Sequence, residues 1–364
     1  MGLFHEMLGD NESLFKNEEA LDYEFVPKLL PYREQQQKHI ARCIAPLLQG
    51  RQGENLFIHG APGIGKTAAL KWVLRDLEEE TEEVVPVYIN CWRYNTSYKI
   101  ILELCHEMGY RFTQNKNTGE LFNILKERCN KSKGVVLCFD EVDKLEDYDF
   151  LYLLCEEIYK KSIFLITNYK SWLLELDERI KSRLNSEMLE FKPYTKEETT
   201  GILKERVAYA FVDGIWQDTA LALVITQTDE VKDIRAGLYM LKEAGREAEK
   251  KASRKILPEH AQTAVLKLKE FHTKKQEDLY DEEQFILNIV KTHSPHKIGD
   301  LFKIYQEQGG NGMYKTFQRK ITKLAENKFI SAQKTSGGIE GNTTIISFET
   351  TKKLSDFNDA SDAK

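Results

Sequence analysis

The sequence predicts an α/β domain built on a parallel sheet, then a small all-helical domain, then a compact module of helices and a hairpin. Three observations carry the prediction. A strand, a glycine-rich loop and a helix follow one another in NLFIHGAPGIGKTAALKWVL. Apolar strands then alternate with helices, an order that favours parallel strands covered on both faces. Past Pro193 the strands give way to helical segments until a glycine-tipped hairpin closes the ordered part of the chain.

Taken in order, residues 1–27 are acidic with isolated apolar positions and read as a loose lead-in. A helical pattern begins at Pro31, with Ile40, Ile44 and Leu47 at helical spacing, and GRQGEN breaks it. After the loop, VVPVYINC (84–91), GVVLCFDE (134–141) and SIFLITN (162–168) are strands, and helices run across 100–108, 121–128 and 150–160. LEFKPY is the sheet's last stretch. Residues 28–193 thus form the α/β domain and 194–271 the helical one. The charged stretch HTKKQEDLYDEE is a linker or a helix start. Over 272–350, three helices precede the β segments ISAQK and TTIISFE around SGGIEGN, the order of a winged helix. The tail, 351–364, is polar and expected to be disordered.

Bulk composition bounds the function classes. At 364 residues, 41% hydrophobic and 30% charged, the chain is of ordinary globular type and long enough for two or three domains of roughly 100–200 residues. No apolar run approaches the ~18 residues of a membrane span, and the N-terminus lacks a signal-peptide layout. A cytoplasmic protein without a membrane partner is expected. Six cysteines without a C-x-x-C pair indicate neither a zinc ribbon nor a disulfide framework. A net charge of -6 excludes a uniformly basic coat, so any nucleic-acid surface must be a local patch.

GAPGIGKT (60–67) matches G-x-x-x-x-G-K-[ST], in which backbone N–H groups and a lysine hold phosphates while the hydroxyl binds magnesium. That chemistry serves kinases, motors and switches alike. Its companion is VVLCFDEVD. At the carboxyl end of a parallel strand, Asp140 emerges beside the phosphates to hold the magnesium shell, and Glu141 is placed to orient or deprotonate the attacking water. LITN leaves Asn168 at the same sheet edge. Arg179, Lys181 and Arg183 follow, with Arg183 able to reach a neighbour's nucleotide. Arg235, which opens the KDIRAGLYMLKEAG helix, is a candidate to fold over the phosphates.

GAPGIGKT, FDEVD, LITN, the SRL arginine and DIRAGL, in that order before a winged helix, resemble an AAA+ ATPase of the initiator clade. LLPYREQQQKHIARCIAPLLQGRQGENLFIHG and YINCWRYNT resemble archaeal origin-recognition proteins, relatives of origin recognition complex subunit 1 and cell division control protein 6. The likeness spans roughly residues 10–350. It implies an AAA+ domain with a helical lid, and ATP or ADP with Mg2+ held by Gly60, Gly63, Gly65, Lys66 and Thr67, with Ala61, Pro62, Ile64 and Ala68 completing the loop. It makes Thr67 and Asp140 the metal residues, Asn168 and Arg235 the two sensors, and Arg183 the finger with Arg179 as fallback. It places Pro31, Tyr32 and Arg33 by the adenine. The sequence departs from these relatives at Ala61-Pro62, Ile64 and Lys232, and in lacking a basic N-terminal arm.

In the third C-terminal helix Lys315, Arg319, Lys320, Lys323 and Lys328 oppose a single acid, Glu326. Such a helix suits the major groove, with Arg319 placed for a guanine, while Gly337, Gly338, Thr343 and Thr344 let the wing approach the backbone. WRYNTSYK (92–99) carries a weaker basic signal in the stretch where the family has a second DNA contact. The resemblance implies a replication initiator, a weak nucleoid-associated ATPase, that binds double-stranded origin DNA, helps recruit or load the replicative minichromosome maintenance helicase, and pairs with itself or a paralogue on DNA. The rival reading is a regulatory or signalling NTPase whose winged helix docks protein. A clamp loader fits less well, because a hairpin follows Phe329 where a helical collar belongs.

Overall fold

The computed structural model describes residues 13–277, 281–310, 312–326, 329–335 and 343–348. The chain divides into two compact units, Met1–Leu268 and Lys269–Lys364. No helix among the described residues is long and apolar enough to cross a membrane.

In the first unit α1 (Glu34–Leu48) leads into β1 (Leu56–His59), the glycine-rich loop and α2 (Lys66–Glu80). β2 (Val84–Asn90), α3 (Ser97–Glu107), α4 (Thr118–Lys131), β3 (Gly134–Asp140), α5 (Asp149–Glu157), β4 (Lys161–Thr167), α6 (Trp172–Glu175), α7 (Glu178–Leu184) and β5 (Glu187–Glu190) follow. The five strands form one sheet in the order β2-β3-β4-β1-β5, and every pairing is parallel. Alternation along the strands sorts two cores. Phe57, Val135, Leu137, Phe139, Ile163 and Leu165 pack beneath α3, α4 and α5. Leu56, Ile58, Val136, Cys138, Phe164 and Ile166 pack against α1 and α2. β3 and β4 are buried along their whole length, which is why they read as unbroken apolar runs.

Two local expectations are corrected. The first helix begins at Glu34 rather than Pro31, because Tyr32 takes φ +68° and breaks the helical path before Arg33. The last strand lies at Glu187–Glu190, two residues upstream of the expected LEFKPY, since those four residues pair in register with Leu56–His59 while Phe191 turns into the core.

The lid comprises α8 (Lys196–Ala210), α9 (Asp218–Val231), α10 (Ile234–Lys250) and the start of α11 (Pro258–Glu277). Thr195 and Glu198 form a reciprocal capping box at α8, so the helix starts where its sequence demands. Residues 13–27 are no loose lead-in, which corrects the sequence expectation. Leu14, Ala20 and Leu21 are buried in the lid core. Phe15 lies 4.8 Å from the Phe211 ring, and Gly245 permits this, because a Cβ there would come within 2.5 Å of Phe15. Lys16 and Asn17 N–H groups both donate to Ala210 O, at 2.8 and 3.0 Å. Buried Arg206 donates to Ala20 O and Phe25 O at 3.0 and 3.2 Å. On the other side Arg75 donates to Pro27 O at 3.1 Å and Trp72 Nε1 to Lys28 O at 2.9 Å. The segment is therefore a strap fastened to the lid at one end and to α2 at the other.

In the second unit the order is α12 (Asp281–His293), β6 (His296–Lys297), α13 (Ile298–Glu307), α14 (Tyr314–Glu326), β7 (Ser331–Thr335) and β8 (Thr343–Ser347). The antiparallel sheet runs β6-β8-β7 around a core of Ile286, Leu287, Leu301, Tyr305, Phe317 and Ile346, the plan of a winged helix. Of the two readings of HTKKQEDLYDEE, linker or helix start, the helical one holds for the described residues, with α11 reaching Glu277 and α12 starting at Asp281.

Arg206→Ala removes the guanidinium that satisfies two strap carbonyls. It is expected to lower unfolding free energy by about 2 kcal/mol in a denaturant titration and to open residues 13–27 to proteolysis. A variant as stable and protease-resistant as the parent would contradict the strap.

Candidate functional site

The carboxyl ends of β1, β3 and β4 lie at one sheet edge, and the cleft there is closed from above by the lid and the strap. Pro62, Gly63, Gly65, Lys66, Thr67 and Ala68 form its floor, with Asp140, Glu141 and Asn168 at one end and Arg235 at the lid side. These expected residues converge in one cavity from positions more than 170 residues apart. Gly60, Ala61 and Ile64 contribute through their backbone. Gly60 O and Ala61 O accept from Lys66 Nζ at 2.7 and 2.8 Å, and the Ile64 side chain is buried in the core.

Lys66 Nζ also donates to Asn168 Oδ1 at 2.8 Å. Its three partners are neutral oxygens, and burial draws its pKa down to about 8 against the opposing pull of Asp140. Such an ammonium gains from any anion that enters. Thr67 Oγ1 donates to Asp140 Oδ2 at 2.6 Å, and the Glu141 N–H donates to Asp140 Oδ1 at 2.8 Å. A hydroxyl beside a carboxylate is the hard oxygen pair that suits a small divalent cation. Glu141 takes φ +56°, and burial, aided by Asp140 and Asp143, holds its carboxyl above the usual range. Thr167 Oγ1 donates to Asp143 Oδ1 at 2.9 Å and accepts from the Tyr169 N–H at 3.1 Å, which fixes the turn that carries Asn168.

The lid touches the loop directly. Asp233 caps α10 and holds Arg235, with its Oδ2 2.7 Å from Arg235 Nη2. The Ile234 N–H donates to Gly63 O at 3.2 Å. Gly63 is glycine for two reasons: its φ is +72°, and a Cβ would come within 1.8 Å of the Asp233 carboxylate.

The expectation for the adenine stretch is corrected in part. Pro31 lines the cavity, but Tyr32 and Arg33 do not. Arg33 is 4% exposed, lies 3.8 Å from the Tyr194 ring centroid, and donates to Ile64 O at 2.9 Å and Lys192 O at 2.8 Å. It is a strut under the loop, because those carbonyls and that ring use up its guanidinium. The Tyr32 hydroxyl packs over Gly201. The walls that sequence reasoning missed come from the strap and the lid: Tyr23, Phe25, Pro27 and Leu30, then Ile202, Glu205, Arg206 and Leu238. A flat heteroaromatic ring suits these apolar walls with their two charged groups. The aromatic pair Tyr23 and Phe25 in an acidic segment was the available signal.

Arg183 lies off this cavity on α7, bonded to Glu156, with its guanidinium 4.8 Å from the Tyr152 ring centroid. Arg179 is more exposed and paired with Asp177. In the other unit Lys315 and Arg319 are exposed on α14, on the same element as Lys320. The side chains of Lys323 and Thr343, and Gly337 and Gly338 altogether, lie outside the described residues. In the weaker basic stretch Trp92 is exposed with Lys144 Nζ 5.1 Å from its ring centroid.

Elsewhere His39, Cys43 and Glu187 bring three ligand-type atoms within 4.8 Å of one another. His39 Nε2 and Arg42 Nη2 both contact Glu187 Oε2, at 2.8 and 2.6 Å, and the Cys43 thiol is buried and pushed up to about 12 chiefly by that burial. An ion-pair network beside a core thiol accounts for the group.

Comparison with known proteins places this geometry. The model of the AAA domain family matches residues 49–174, and that of the Cdc6 AAA+ ATPase-type lid domain matches residues 200–265. ORC1-type DNA replication protein 1 of Sulfurisphaera tokodaii is 35% identical over 269 residues, 70% of this chain and 67% of that protein. The chain belongs to the ORC1-type DNA replication proteins. A second ORC1-type relative, DNA replication protein 2 of Methanothermobacter thermautotrophicus, is 28% identical over 94% of the chain and 93% of its own length. The structure of the Aeropyrum pernix ORC1 protein in complex with DNA superposes with a TM-score of 0.73 at 26% identity, covering 93% of this chain and 95% of that one. As an ORC1-type protein with an AAA domain and an AAA+ ATPase-type lid, the chain is a nucleotide-binding ATPase of the AAA+ kind.

Gly63→Ala in this ORC1-type chain puts a side chain where the Asp233 carboxylate rests, in a backbone conformation that costs a non-glycine residue about 1–2 kcal/mol. Nucleotide affinity, measured by titration with a fluorescent ATP analogue, is expected to fall about tenfold. Undiminished affinity would contradict the contact between lid and loop.

Proposed function

We propose that the chain is an ATP-controlled replication initiator that binds double-stranded origin DNA through α14 and the wing, and helps recruit or load the replicative minichromosome maintenance helicase. The observation that carries the reading is the likeness to an ORC1 protein in complex with DNA, which extends over 93% of the chain and so takes in the C-terminal unit. Three further features support it: the family, the phosphate cavity under a hydrogen-bonded lid, and the exposed Lys315 and Arg319 on one helix.

In this reading 28–193 is the nucleotide domain, 194–271 the lid and 272–350 the DNA-binding module. The phosphates of ATP draw Lys66 Nζ from Gly60 O, Ala61 O and Asn168 Oδ1, neutral acceptors that an anion outcompetes. Asn168 and Arg235 then register whether the outer phosphate is present. Thr67 and Asp140 are the residues that fit Mg2+, which when bound offsets phosphate charge. Glu141 accepts the proton of the attacking water, a role that its raised carboxyl pKa favours. Hydrolysis is slow, which suits a switch more than a motor. Arg183 serves a neighbouring copy's nucleotide once it is released from Glu156, with Arg179 as the alternative.

The experiment is a fluorescence-anisotropy titration of duplex DNA with the full chain across salt concentrations, with ATP and with ADP. Affinity is expected to fall steeply with salt, by about 0.9 in log–log slope for each phosphate contacted. Arg319→Ala with Lys323→Ala is expected to weaken binding at least tenfold and to flatten that slope. Salt-insensitive or undetectable binding in every nucleotide state would overturn the DNA role and favour a winged helix that docks protein.

A further inference from the structure

Asp140 is 4% exposed, and its orientation decides whether it faces the position a cation would occupy between it and Thr67. Three donors hold it. Two are the Thr67 hydroxyl and the Glu141 N–H already described, and the third comes from β2, where the Tyr88 hydroxyl donates to Asp140 Oδ2 at 2.8 Å. Tyr88 pairs with Cys138 in the parallel register of β2 and β3, so its ring lies on the α2 side of the sheet and its hydroxyl reaches two residues along to Asp140. Over the ring stands Lys71 of α2, with Nζ 4.6 Å from the centroid. The phenol has one O–H to give, and Asp140 Oδ2 accepts it.

We propose that Tyr88 is a positioning residue for the divalent cation: its hydroxyl keeps the Asp140 carboxylate oriented toward the metal position once the Thr67 hydroxyl turns to the cation, and Lys71 polarises that phenol from above. The inference rests on Thr67 and Asp140 being the Mg2+ residues. A hydroxyl used by a metal can no longer restrain the carboxylate beside it. The Glu141 N–H is committed to the other oxygen, Oδ1. Tyr88 is then the side-chain donor left on Oδ2, and outer hydrogen bonds of this sort typically set 10–100-fold in metal affinity. Neither the phosphate-loop pattern nor the FDEVD stretch contains this residue, and it touches no cavity-lining atom of the lid in the contacts described.

The test is Tyr88→Phe in the full chain, which keeps the ring and removes only the donor. A fluorescent ADP analogue is titrated at stepped Mg2+ concentrations, together with a titration in EDTA. The expected result is a Mg2+ midpoint raised about tenfold, with metal-free nucleotide affinity unchanged. An unshifted midpoint overturns the assignment, and so does an equal loss of metal-free affinity, since that marks a merely structural role. If wild-type binding itself ignores Mg2+, the reading of Thr67 and Asp140 fails and takes this inference with it. Lys71→Met, which leaves the hydroxyl in place, is expected to shift the midpoint in the same direction by a smaller factor. Should Tyr88→Phe not fold, judged by its thermal melt, an unshifted Lys71→Met overturns the proposal.

Discussion

The organisation of this molecule depends on one buried cation held by neutral atoms. Lys66 sits at the start of α2 with two loop carbonyls and the Asn168 amide oxygen for partners. Removing an ammonium from water without pairing it is unfavourable, and its lowered pKa expresses that cost. The three donors of the ammonium are satisfied but none of their partners carries a counter-charge, and phosphate is the chemistry that supplies one. Because one of the three partners, Asn168, directly follows β4, whatever displaces Lys66 is felt at the end of the central strand beside β1. Because the loop also accepts from Ile234 through Gly63, it is felt in the lid.

Around that centre the sheet supplies rigidity and the lid supplies response. β1, β3 and β4 are buried on both faces, so the loop, Asp140 and Asn168 hold fixed relative positions. The lid has its own core, and its polar ties to the site are few: the Ile234 to Gly63 hydrogen bond, the Arg206 contacts to the strap, and the strap's anchors on α2. Tyr23 and Phe25 place strap residues in the wall of the cavity. A nucleotide thus meets one surface built on the buried sheet and another built on a lid with its own core.

Much of the site was legible in the sequence, since its chemistry is local. GAPGIGKT, FDE and LITN each sit at a strand end, where pattern and turn chemistry agree, and the cavity gathers Lys66, Thr67, Asp140, Glu141 and Asn168 as expected. The strap was illegible because its partners are remote: Phe15 meets Phe211, Ser13 meets Glu249, and three or four scattered apolar residues have no period to read. Arg33 misled for a different reason. Its neighbour Pro31 lines the cavity, but only the fold reveals that Tyr194 and two carbonyls already occupy the Arg33 guanidinium. In VVPVYINC the pattern marks Tyr88 as one more strand residue, which its backbone is.

The most direct test of the account is hydrogen exchange of the full chain without nucleotide, with ADP, and with a non-hydrolysable ATP analogue. If the outer phosphate takes Lys66 and the change passes through Gly63 to the lid and strap, ATP must slow exchange at Ile234 and along residues 13–28 beyond what ADP achieves. Protection confined to residues 60–67, equal for ADP and the ATP analogue, would contradict the coupling of phosphate loop, lid and strap.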